Sequence, residues 1–198
     1  MAITAANLTS GQQSTSSISQ TTASISPGTN KLDLVTVVWK RVGSTVDLPT
    51  VTGAGGTWVL INGTTNNDGT SIRGIQMFRD LSATPGSGVL TITFPEAQDN
   101  FAWFVDEFSG IDTGGTHGSG AIVQDQESTQ NGANVGASVT LLALGNTSNS
   151  AYGVIRHGGA GGVTSGASFT ELSNAINGNS YESEWAINQT SVNWTWAN

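Results

Sequence analysis

The stretch Phe101-Ala102-Trp103-Phe104-Val105-Asp106-Glu107-Phe108 constrains the fold more than any other part of the chain. Aromatic and β-branched residues suit a pleated surface, and no helical spacing of apolar positions is visible. Alternation puts Phe101, Trp103, Val105 and Glu107 on one face and Ala102, Phe104, Asp106 and Phe108 on the other. Both faces are largely apolar, which predicts an interior strand covered on both sides. Burying one tryptophan removes roughly 200 Å² from water, worth on the order of 5 kcal/mol as an upper bound. Ser109-Gly110 then stops the run.

Leu32 to Val42 has the same character, with Leu34 and Val38 on one face and Val35, Val37 and Trp39 on the other. Further strands are expected at Thr57–Ile61, Ile72–Leu81, Val89–Phe94, Ala121–Gln126, Val135–Leu144, Ala151–His157 and Ser168–Leu172, with a polar edge strand over Ile18–Ile25. The chain closes on two clean alternators, Tyr181 to Ile187 and Val192 to Trp196, read as a C-terminal hairpin. Turns rich in Gly, Pro and Asn separate these runs, and no convincing helix appears. Roughly ten to twelve short strands at this spacing predict an all-β chain: a single antiparallel β-sandwich, jelly-roll-like, over residues 18–198. Residues 1–17, polar and rich in Ser, Thr and Gln, are expected to form a flexible N-terminal arm with Ile3 and Leu8 as its apolar anchors.

Composition narrows the function classes. Charged residues make up 10% of the chain, well below the usual quarter or so, and the formal net charge is −8. Six Lys and Arg, clustering nowhere beyond Lys40-Arg41, give no platform for phosphates, so no nucleic acid is expected as a partner. Acidic headgroups would be repelled too, and no apolar run reaches spanning length, so no membrane is expected either. The opening Met1-Ala2-Ile3-Thr4 carries no basic segment followed by an apolar one, which predicts synthesis without an export signal. Without cysteine there is no disulfide or thiolate chemistry.

No catalytic constellation emerges. Asp106 and Glu107 are adjacent, and alternation sends them to opposite faces, so they cannot flank one glycosidic bond. Glu107 is read as structural, held by hydrogen bonds near a strand end. The two histidines, His117 and His157, stand near no Gly-x-Ser-x-Gly elbow and no cysteine, which argues against a serine triad and a transition-metal site. Asn66-Asn67-Asp68-Gly69 and Asp125/Glu127 offer oxygens to calcium, but Asn-Asp-Gly serves turn geometry more often. The Gly158–Gly162 run lacks the lysine of a phosphate loop. No enzyme, cofactor or metal is therefore expected. Trp39, Trp103 and Trp185 alternate in step with apolar neighbours and are assigned to the core. Trp58, Trp194 and Trp196 stand near loops or the C-terminus, and join Ile3 and Leu8 as candidate partner-binding residues.

The order of features carries a resemblance. Val51-Thr52-Gly53 leads to Gly56-Thr57-Trp58, a polar turn, and a strand running to Phe78-Arg79-Asp80; Gly88 to Phe94 and Glu107-Phe108-Ser109-Gly110-Ile111-Asp112 follow. Over roughly residues 30–155 and part of the C-terminal alternators, this resembles a jelly-roll-like β-sandwich module of tailed-bacteriophage virion proteins, found also in some bacterial surface proteins. The resemblance implies a non-enzymatic virion structural protein, a capsid decoration protein binding the major capsid or another virion protein. Self-association into a small cyclic oligomer, such as a trimer, would assist. The alternative it leaves open is a carbohydrate-binding or receptor-binding module of a tail fibre or surface protein.

Overall fold

The computed structural model describes residues 2–43, 45–130, 134–159, 161–176 and 178–197. Its strands are β1 (Thr4–Gln13), β2 (Ser17–Thr21), β3 (Leu32–Val42), β4 (Thr50–Gly53), β5 (Val59–Asn67), β6 (Ser71–Leu81), β7 (Leu90–Gln98) and β8 (Asn100–Ser109). After a 3₁₀ turn, Thr116–Ala121, come β9 (Gly136–Thr140), β10 (Ser150–His157), β11 (Thr164–Ser165), β12 (Thr170–Ile176), β13 (Ser180–Ile187) and β14 (Ser191–Thr195). The architecture is all-β and every ladder is antiparallel. A central five-stranded sheet runs β1-β8-β3-β6-β5, and three-stranded sheets run β2-β7-β4, β10-β13-β12 and β11-β14-β9.

Alternation on β3 and β8 explains the stacking. Val35, Val37 and Trp39 with Phe101, Trp103 and Val105 meet Leu90, Ile92 and Phe94 of β7 and Val51 of β4, making the main core. The opposite residues, Val38, Ala102 and Phe104, meet Tyr181 of β13, while Leu34 and Phe108 pack near Tyr152 and Trp185. Burial of β8 on both faces is thus as its sequence predicts. The layer that supplies Tyr181 is itself covered on its outer side, where Ala151 and Ile155 of β10 pack against Val192 and Trp194 of β14. Sheets therefore stack face to face beyond a simple pair, each of the inner ones sharing its residues between two cores.

Indole rings press within 3 Å of a glycine's Cβ position in three places among the described residues. Trp39 of β3 covers its partner Gly74 on β6, and Trp103 of β8 covers its partner Gly11 on β1. Trp194 lies against Gly153 of β10 in the facing sheet. A Cβ at any of these positions would run into the indole, so the glycine is what admits the ring.

The structure corrects several expectations. The expected arm, residues 1–17, is not free over its described residues 2–17: Thr4–Gln13 is a full edge strand on β8, and Asn7, Ser10 and Gln12 bond to β8 or β12, while Met1 lies outside the described residues. The segment is polar because an edge strand with one face toward water needs few apolar residues, and Gly11 and Leu8 supply its inward contacts. The 121–126 segment forms no ladder, although its sequence is strand-like. The two C-terminal alternators do not form a hairpin with each other. β13 pairs with β10 and β12, β14 with β9 and β11, so they sit in different sheets.

Candidate functional site: a cleft along a strand edge

A cleft of about 1180 Å³ opens on the molecule. Its floor is the part of the central sheet left bare beyond β10, with Leu34, Ile61, Ile75 and Met77 supplying apolar surface. One wall is β10, and all eight of its residues, Ser150–His157, line the space. A strand showing a face to a cavity contributes alternate residues; one showing its edge contributes them all. Ala151 and Ile155 point to β14 while Val154 points to the central sheet, so what they share with the cleft is their backbone edge. β10 pairs with β13 on one side only, and among the described residues no strand takes the other. Residues 121–130 make the far wall, fixed by Gln124, whose side chain donates to Leu142 O at 3.0 Å and accepts from Leu142 N at 2.8 Å.

The charges in the cleft are unequal. Asp68 is engaged by Arg73 and by Thr70 and Ser71, bonds that hold its carboxyl well below the usual range, so the Asn66–Gly69 turn uses that group for itself rather than for calcium. Arg156 donates to Asn179 Oδ1 at 2.6 Å, and burial lowers its pKa. Burial and then the neighbouring Arg156 lower that of His157 as well. Asp112, Asp125 and Glu127 also line the cleft and have no ion-pair partner among the described residues. The lining is therefore net acidic.

The other carboxylates are enclosed between layers. Asp106 accepts from Tyr152 Oη at 2.7 Å and from Asn7 Nδ2 at 2.8 Å; burial raises its pKa against those bonds. Glu107 faces the other way, onto Lys31 and the Gly28 amide, confirming both the opposite-face reading and its structural role. Register sets Asp33 directly between Glu107 of β8 and Asp80 of β6. Burial first, then those two carboxylates, push Asp33 up to about 8. His117, held at φ 50°, ends the row by donating from Nδ1 to Asp80 Oδ1 at 3.1 Å, beside a recess of about 360 Å³. Among the described residues no serine hydroxyl bonds to this histidine, and Ser82 is the serine that lines the recess beside it. Glu182 and Glu184, both fully buried, point outward to Ser165 and the Gly166 amide, and burial raises each to about 7.

The five candidate partner-binding residues do not all meet in one place. Ile3 and Leu8 pack into two different cores, and Leu8 and Trp58 both rest on the main one, with Trp58 Nε1 donating to Gly53 O at 3.2 Å. Trp194 is only 4% exposed and is not a surface residue. Trp196 reaches the cleft, but His157 stacks on its ring at 4.3 Å and its Nε1 donates to Asn134 O at 2.6 Å. Ile3, Trp194 and Trp196 line the cleft; Leu8 and Trp58 do not. Sequence reasoning missed the β10 edge, because pairing partners, unlike faces, leave no local pattern. Compared with family models, with curated proteins and with solved structures, the chain matches none.

Proposed function

We propose that this chain is a non-enzymatic structural protein that docks onto a larger assembly, the bacteriophage virion to which its sequence features point, as a capsid decoration protein. The observation that carries the reading is the unpaired edge of β10 beside an apolar floor. Main-chain donors and acceptors in that position suit another polypeptide better than a small substrate. Asp106, Glu107 and Glu184, the carboxylates enclosed in the fold, are engaged by Tyr152, Lys31 and the Gly166 amide rather than turned to a substrate. Repeated weak contacts on a lattice, reinforced by self-association, would give such a protein its affinity.

The test mixes the intact chain with particles lacking it and measures co-sedimentation. Removing residues 1–17 is a poor control, because it strips β1 from the central sheet. Stoichiometric, saturable binding is expected. Retention on a polysaccharide column with no binding to any particle would replace this reading with the carbohydrate-binding alternative.

A further inference from the structure

Resting on that docking role, the geometry points to a specific occupant for the cleft: an extended, basic segment of a partner polypeptide, added as a strand to the free edge of β10.

Three observations converge on a strand rather than a helix or a globular knob. All of Ser150–His157 faces the cleft through its backbone edge, which leaves a row of main-chain groups without a ladder partner among the described residues. The floor beside that edge is apolar, so the side chains on one face of an added strand would be buried on Ile61 and Met77. The far wall, residues 122–130, forms no ladder of its own, so among the described residues no strand occupies the space between it and β10.

Charge selects the chemistry. Asp68 and Arg73 neutralise each other; Asp112, Asp125 and Glu127 remain without an ion pair among the described residues and outnumber Arg156, the other cation of the lining. Lys or Arg on alternate positions of the incoming strand would complement them. A second copy of this chain fits poorly, since six Lys and Arg are spread over 198 residues and the net charge is −8. At about 3.3 Å per residue, a segment of roughly eight residues would follow the length of β10.

The test uses the intact protein and three capped ten-residue probes. These are an alternating lysine–valine peptide, its glutamate–valine counterpart, and the lysine–valine peptide N-methylated at alternate backbone nitrogens. Binding is followed by NMR shifts and amide-exchange protection. The lysine–valine peptide should bind and protect β10 amides. The methylated form should lose at least about tenfold in affinity, since it cannot complete the ladder. Asp125→Asn with Glu127→Gln, both on exposed side chains, should weaken binding about threefold and reduce its salt dependence. Binding unaffected by methylation would overturn the strand assignment, and equal binding of the glutamate peptide would overturn the charge assignment. Concentration-dependent dimers that protect β10 without any peptide would identify a second copy as the occupant and overturn the proposal. No binding of any probe at millimolar concentration overturns it too, while co-sedimentation with particles would still stand as evidence of docking elsewhere.

Discussion

The two faces of the central sheet come from the same strands and end with opposite characters. Toward β2-β7-β4 the face is one continuous apolar core built around Trp39, Phe94, Phe101 and Trp103, rings tilted against each other at 5.2–6.0 Å. Toward β10-β13-β12 it breaks into separate clusters, with Asp106 and Tyr152 bonded in their midst and the β5–β6 side open as the cleft. Alternation made β3 and β8 apolar on both sides, but it could not dictate how much of each side would be covered. The closed face holds the molecule together, and the broken face leaves room for binding.

Truncating the closed face should do the most damage. Trp39→Ala empties a site at 0% exposure and should cost about 3–5 kcal/mol in denaturant unfolding. Trp185→Ala, on the broken face and only partly buried, should cost distinctly less. Equal losses would show that the two faces contribute alike, and the contrast would fail.

A smaller effect is expected where the outermost sheet meets β10. Gly153→Ala would push a methyl group into Val192 and Trp194, at a cost of about 1–3 kcal/mol by thermal or urea unfolding. The same change at Gly11 meets the Trp103 indole from an edge strand that can shift, and should cost less. Removing the hydroxyl in Tyr152→Phe leaves Asp106 short of a donor in a buried place, worth about 1–2 kcal/mol. A neutral outcome there would mean that water already reaches Asp106 from the cleft.

What was legible in the sequence follows the same division. Phe101–Phe108 and Leu32–Val42 showed their strands, their two-sided burial and the all-β class, because each carries its own periodic pattern. Glu107 and Asp106 could be assigned to opposite faces for the same reason. β1 was hidden because a half-solvated edge strand of Ser, Thr and Gln has the composition of a disordered tail. The C-terminal alternators revealed strands but not partners: Trp185 and Trp194 look alike in sequence, yet they serve different cores. Residues 121–126 show the converse, strand-like sequence with no partner. The cleft depends on where pairing stops, and no residue marks that.

The smallest expected shift concerns the carboxylate row, and its sign follows from the direction of the pKa change. Asp33 has an ordinary value of 3.8 and is pushed up to about 8, so between those values the folded chain holds a proton that the unfolded chain has lost. Stability therefore falls as pH rises through that window, and it levels off above about 8. Glu182 and Glu184, raised to about 7, act in the same direction at lower pH. His157 opposes them, because its lowered pKa means stability is lost as pH falls below its ordinary 6.5. From about pH 7 to 8 Asp33 still contributes while Glu182 and Glu184 finish titrating, so its share is read as the difference between the parent and Asp33→Asn, and one group contributes at most about 1.4 kcal/mol per pH unit. The groups facing it are Glu107 on β8, Asp80 on β6 and Lys31 just before β3, and only Lys31 favours its charged form. The melting temperature of the parent should decline across this range, and Asp33→Asn, neutral at every pH, should flatten the decline. A parent profile already flat from pH 7 to 8 would show that water reaches the row, and that this end of the β7-facing side is as open as the other.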